Sequence, residues 1–385
     1  MISKLSRYIR QGGFPFLILC LALLICNRGG YISLVGVFVL SVFVTVNLKQ
    51  KMDLTGAGLI LYSILYMLIS MMNGFSYDLS VVFLYAVAPF FFYSFGRVVP
   101  YKWQTEDQQM VFWLLIIACY CLDIFYVTAN NILSTGELIN IKRDFSFDAA
   151  GDMDKAATLV GLAMDVGMVG LPIFILAKKK AYRYLFLLLS LLSLVVTIHL
   201  LNRTGLVVLF LCFAGVIFWK SRKQPYILVT AMIFVAVLYF LIQSSGLLSD
   251  ELFSYYDSRN EDISSMGSRS FRWTYALEQL FIQPLGWAQN GEIYYVHNMW
   301  LDIARISGII PFILLLSFTV SGVLKSLRYI KRTENVLSYL LLGLNMCFFA
   351  SCFVEPVYGG THFLLYCMLW GVLTTLDKKS YTFIG

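Results

Sequence analysis

Charged side chains make up only 13% of this 385-residue chain, about half the quarter that a soluble domain carries. With 59% hydrophobic residues and a mean hydropathy of +0.76, too few polar side chains remain to cover one water-soluble core. Lipid must therefore solvate much of the apolar surface. Histidine is scarcer still, at three residues. The eight cysteines (Cys20, Cys26, Cys119, Cys121, Cys212, Cys347, Cys352, Cys367) lie in apolar runs without metal-ligand spacing. Cys119 and Cys121 are two apart and would face different sides of a helix. They read as small apolar packing residues, and neither metal nor cofactor is expected. No HExxH, P-loop or GxGxxG occurs, which removes the metal and nucleotide chemistries those motifs carry. The formal charge of +7 does not imply nucleic acid as a partner; its meaning lies in where the charges sit.

Apolar runs able to cross about 30 Å fall at 14–27, 31–48, 54–72, 79–96, 109–127, 157–177, 184–201, 204–219, 226–243, 307–324, 336–354 and 362–376. They predict an all-α polytopic membrane protein of about twelve transmembrane helices. The first run has no small-residue cleavage site and a second span follows at once, so it reads as a span, not a cleaved signal. If Lys4, Arg7 and Arg10 are cytoplasmic, every other inner loop is basic too, at Lys49/Lys51, Arg97/Lys102, Lys178–Arg183, Lys220–Lys223, Lys325–Arg332 and Lys378/Lys379. Together these hold 20 of the 29 basic residues. The bias places both termini in the cytoplasm. The chain then divides into N-terminal spans (1–127), an outer loop (128–156), further spans (157–243), a large outer loop (244–306) and C-terminal spans (307–385). No internal repeat and no pair of broken helices of the transporter kind is evident.

Loops of such length without function are uncommon, and the second gathers the polar chemistry that the spans avoid. Residues 269–283 have helical periodicity, with Trp273, Leu277, Leu280 and Phe281 on one side, and 296–306 read as a second short helix. Both are expected to be amphipathic and to lie at the outer interface, with Trp273, Trp287 and Trp300 at headgroup depth. Arg269 and Arg272, three apart, share a helix face, and two guanidinium forks suit bidentate phosphate or pyrophosphate binding; the alternative is a pair of interfacial anchors. Arg203, in the tight LNRTG turn, is an outer arginine disfavoured by the charge bias, which an anionic partner or snorkelling to lipid phosphate explains. A histidine such as His297, followed by Asn298, can act as general base toward a sugar hydroxyl. Asp302 and Arg305 read most simply as an exposed intrahelical ion pair, with Arg305 also a candidate substrate contact. Glu278 and Glu292 are candidate polar contacts that no spacing singles out. Asp123 and Asp165 are acids within spans; Asp165 either neutralises Arg203 or lines a sugar path. Nucleotide sugars are cytoplasmic, so an outer site points to a lipid-linked sugar donor.

Ser268-Arg269 with Trp273, then QPLGWA (Pro284, Gly286), then His297-Asn298 with Leu301, then a span with Gly308, resembles the O-antigen ligase/polymerase superfamily. The NRTG turn at Asn202–Gly205 is similar to the arginine motif preceding that domain, and the likeness covers roughly residues 195–325. The resemblance implies a metal-independent, inverting GT-C-type glycosyltransferase of a bacterial inner membrane, working at the periplasmic face. Its donor would be an undecaprenyl-pyrophosphate-linked oligosaccharide, with membrane lipid around it and a chain-length regulator protein as a further partner. Arg203 and Arg269 would hold the pyrophosphate and His297 would be the base; Arg272 is added from spacing alone. The number of spans, the 16% aromatic content and the moderate loop favour a repeat-unit polymerase over a ligase acting on lipid A-core. A lipid-linked oligosaccharide flippase is the reading from a different class.

Overall fold

The computed structural model describes residues 52–76, 85–139, 165–200, 202–244, 269–289, 293, 295–354 and 361–382, and helices joined by turns account for all of them. The expected spans 14–27 and 31–48 lie outside the described residues. The helices are α1 (Leu54–Met72), α2 (Ala88–Lys102), α3 (Glu106–Thr135), α4 (Gly170–Leu176), α5 (Lys180–His199), α6 (Arg203–Ser221), α7 (Tyr226–Ser244), α8 (Arg269–Ile282), α9 (Met299–Ser307), α10 (Ile309–Thr333), α11 (Val336–Val354) and α12 (Thr361–Thr382). Among the described residues, α1, α3, α5, α10 and α11 are long and apolar enough to cross a membrane. The chain is a helical membrane protein.

The reason lies in which faces are covered. Phe210, Phe218, Met232 and Phe240 are each more than half exposed, while Ser63, Ser94, Ser193, Thr319, Asn345 and Ser351 are buried. An apolar outside around a polar-flecked inside suits lipid as solvent, because helices then associate through small and hydroxyl-bearing residues. α2 and α12 make the tightest pair: a side chain at Gly96 would strike the Met368 backbone, and one at Gly371 would meet Arg97 N at 2.8 Å.

Local signals account for the helix ends. Thr105 and Gln108 form a reciprocal capping box ahead of Glu106 and Asp107, and Gly136 stops α3 in the left-handed conformation. α3 therefore passes the expected end at 127; at 30 residues it is about 45 Å long, more than a bilayer core needs. α2 likewise runs past 96 to Lys102 and carries Arg97 inside the bundle, only 5% exposed. Arg97 was expected among loop cations but faces Asp53 at 3.7 Å. Asp53 also caps α1 through Gly56 N–H at 2.9 Å, accepts from Tyr93 Oη at 2.8 Å and lies 3.6 Å from Lys378 Nζ. Burial acts to raise its pKa, but the Gly56 N–H, Tyr93, Arg97 and Lys378 outweigh it and hold the carboxyl below its ordinary value.

Contacts sort the helix ends into two groups. At one end lie Asp53, Arg97, Lys325, Arg332 and Asp377, together with Asp107 paired to Lys179 and Lys223 to Glu334. At the other lie Asn73, His199, Asn298 and Phe353. The described lysines and arginines of the expected inner loops thus belong to one end of the bundle.

Candidate functional site

α8 and α9 are the short helices expected from periodicity, and residues 296–298, just ahead of α9, are built around one carboxylate. Asn298 caps α9, its Oδ1 accepting from Leu301 N–H at 3.2 Å. Asp302, one turn on, reaches back: Oδ1 accepts from Val296 N–H at 3.0 Å and Oδ2 from Asn298 N–H at 3.4 Å. Between those two amides His297 sits at φ +56°, a left-handed backbone uncommon outside glycine. A strained backbone at a residue picked out for chemistry persists only when its surroundings over-determine it. Here they do. Trp273 Nε1 donates to Val296 O at 3.1 Å, Arg272 Nη1 to Tyr295 O at 3.0 Å, and Asn298 Nδ2 to Phe353 O at 3.1 Å. His297 itself is half-buried.

Asp302 and Arg305 do pair, at 3.4 Å. The expected exposure does not hold: Asp302 is completely buried and Arg305 is 5% exposed. All nine residues of α9 are buried, because α1, α8, α10 and α11 enclose it. Periodicity cannot report such enclosure. Burial raises the Asp302 pKa, against the lowering pull of the Val296 N–H, Arg305 and the Asn298 N–H. The Arg305 guanidinium lies 6.0 Å from the Tyr295 ring centre, and its carbonyl accepts from Trp287 N–H and Ala288 N–H at 2.8 and 3.0 Å. Arg305, expected as a substrate contact, is thus turned to the protein. The Asn298 side chain is likewise engaged at both ends, by Leu301 and Phe353.

Two of the tryptophans expected at headgroup depth are enclosed by protein. Trp287 is 1% and Trp300 4% exposed, and Trp300 Nε1 donates to Thr319 Oγ1 at 3.1 Å. Both are anchored in protein; half-buried Trp273 packs edge-on to Phe353, 5.1 Å between centroids. The face of α8 splits too. Trp273, Ala276 and Leu280 point inward, at spacings of three and four, while Leu277 and Phe281 point out.

Two glycines lock α8 to α9. Gly286 has φ +109°, and a Cβ there would meet Asn73 Nδ2 at 2.7 Å and Arg305 O at 2.9 Å. Gly308, at φ +82°, both ends α9 and begins α10, and a Cβ would lie 2.7 Å from Leu285 Cα. Ile309 N–H donates to Pro284 O at 2.9 Å. Asn73, just past α1, donates to Leu285 O and Ile306 O at 2.8 and 2.9 Å. Sequence reasoning passed over Asn73, and nothing in its local spacing marks it. It also passed over Asp302 as a support for His297, although an acid in the first turn after an asparagine cap was a readable signal.

The remaining candidates are distributed as follows. Arg269 opens α8, one turn before Arg272 and half-buried. Glu278 is exposed on α8, and Glu292 lies outside the described residues. Arg203 opens α6; its side chain, like that of Asp123, lies outside the described residues. Antiparallel packing of α6 on α11, with Cys212 Sγ 3.2 Å from Gly343 O, puts the Arg203 backbone about 14 Å further along, level with Phe353. Asp165 is wholly buried and accepts from Asn202 Nδ2 at 3.3 Å, so it supports the NRTG turn from below. His362 is buried against Phe348 and Tyr120. His199 lies between Asn131 Nδ2 and Leu138 O. Among the described residues no cluster of His, Cys, Asp or Glu could hold a metal. No protein-family model matches the chain, and no curated protein matches it.

Proposed function

We propose that the chain is a repeat-unit glycan polymerase of a bacterial inner membrane, with about twelve spans, both termini cytoplasmic and its active site periplasmic. It transfers a growing glycan from undecaprenyl pyrophosphate to a new undecaprenyl-pyrophosphate-linked repeat unit. The observation that carries this reading is the hydrogen bond from Arg272 to the carbonyl of Tyr295. It joins the arginine-bearing helix to the strained histidine turn, so cation and base form one rigid unit.

Each residue then has a task. His297 takes the proton of the acceptor hydroxyl as the oxygen attacks the anomeric carbon from the face opposite the pyrophosphate. The carbon–oxygen bond to the pyrophosphate breaks with inversion, and the leaving group departs as an anion. Arg269 and Arg203 stabilise that developing charge, which lowers the barrier electrostatically. Arg272, Asp302 and Asn298 are positioning residues for the turn.

Deletion of the gene tests the reading. The expected outcome is lipid A-core carrying a single repeat unit, because a separate ligase still transfers unpolymerised donor. Bare core with polymerised glycan stranded on undecaprenyl pyrophosphate would make the chain the ligase. An unchanged glycan profile would refute both. Arg269→Ala should match the deletion while protein level in the membrane stays normal, and lysine there should rescue only in part, since a point charge cannot reproduce a bidentate fork.

A further inference from the structure

At the basic end of the bundle, opposite the His297 turn, α3, α5, α6, α7 and α11 surround a cavity of about 730 Å³. This lies within the range of small-ligand sites. Its lining is amphiphilic. Met110, Ile175 and Ile227 form an apolar part, and Lys178, Lys179 and Lys220 a cationic one. Three carboxylates also line it, but each is already engaged. Asp107 holds Lys179, Glu334 holds Lys223 at 2.8 Å, and Glu106 accepts from Leu337 N–H at 3.3 Å. Lys178 and Lys220 have no carboxylate partner among the described residues. The Lys220 ammonium instead sits 5.5 Å over the Tyr339 ring, which leaves its N–H groups free to donate. With Asp107 and Glu334 paired to Lys179 and Lys223, Lys178 and Lys220 outnumber the one carboxylate left without a cation, Glu106, so the cavity keeps a net positive charge that suits an anion.

The first turns of α7 line the cavity with Tyr226 and Thr230, both exposed. From there Val229, Met232, Ile233, Val237 and Phe240 continue along α7 as an exposed apolar strip. A ligand with an anionic head and long apolar chains fits both halves. We propose that the cavity binds a phosphate group through Lys178 and Lys220, and that this phosphate is the headgroup of a membrane lipid whose chains lie along α7. Basic pockets between helices at a membrane surface take such headgroups on general electrostatic grounds. The site is independent of glycan transfer.

The test is native mass spectrometry and thermal unfolding of the full-length protein in detergent. The added probes are dioleoylphosphatidylglycerol, dioleoylglycerol with the same chains but no phosphate, or inorganic phosphate. The phospholipid should remain bound and raise the unfolding temperature, and dioleoylglycerol should do neither. K178Q/K220Q should weaken phospholipid binding about tenfold or more, each lysine near an anionic headgroup contributing several-fold. K178R/K220R should keep it, which separates loss of charge from misfolding. Lys331, exposed at the same end but outside the cavity, provides the control: K331Q should bind normally. Equal weakening by K331Q would reduce the effect to general surface attraction and overturn the site. Dioleoylglycerol binding as tightly as the phospholipid would also overturn it. Inorganic phosphate that binds at millimolar concentration and is displaced by no lipid would keep the phosphate site but overturn the lipid as its occupant.

Discussion

Asp302→Ala removes the carboxylate that accepts from both amides flanking His297. The substitution leaves Arg305, 5% exposed, as a buried cation without its partner, and breaking a buried pair in this way costs about 3–5 kcal/mol. The amides of Val296 and Asn298 lose their acceptors as well, at about 1–3 kcal/mol each where water does not replace them. The three losses share one cavity and do not add, so about 3–5 kcal/mol is expected in total. Asp302→Asn retains an acceptor for one amide and should cost less. The double variant Asp302→Ala/Arg305→Met should recover part of the loss, with a coupling of about 2 kcal/mol. Denaturant unfolding in detergent measures the stability, and hydrogen exchange at residues 295–298 measures the turn directly. Glycan chain length in cells should collapse as it does for His297→Ala. If Asp302→Ala lies within about 1 kcal/mol of the wild type and the amides of the turn stay protected, the carboxylate does not hold the turn and the reasoning fails.

Gly286→Ala and Gly308→Ala should each destabilise by about 1–3 kcal/mol, because positive φ and a backbone neighbour under 3 Å coincide at both; Gly136→Ala, with nothing within 4 Å, should cost less in the same unfolding assay. The two carboxyls with shifted pKa should respond to pH with opposite sign. Asp53 is lowered, so its contribution is present above the unfolded value and lost as pH falls through the folded one; the stability gap between wild type and Asp53→Asn should shrink on acidification. Asp302 is raised, so its contribution is present below the unfolded value and lost as pH rises through the folded one; the corresponding difference against Asp302→Asn should move in favour of the wild type on acidification. Reporters fused after Lys180 or Lys223 should read cytoplasmic and one near Ser264 periplasmic; a cytoplasmic signal near Ser264 would refute the orientation.

The helical class, the membrane environment, the spans at 54–72 and 336–354, the two short helices and the cationic end of the bundle were all legible in the sequence. They depend on local quantities: run length, a period of 3.6 residues, capping residues and the positions of lysine and arginine. The importance of Gly286 and Gly308 was legible as a motif, though not its cause. Their cause is the approach of residues 284–286 to the end of α9 and to Asn73, more than two hundred residues away in sequence. What surrounds a short helix likewise depends on elements far along the chain. That is why Asp302 and Arg305 read as a surface pair yet are enclosed by four helices, and why Trp287 and Trp300 face protein. The lipid-side cavity follows the same rule: its lysines could be counted from the sequence, but only the packing of α3 and α11 against α5 and α6 decided which of them keep a carboxylate partner.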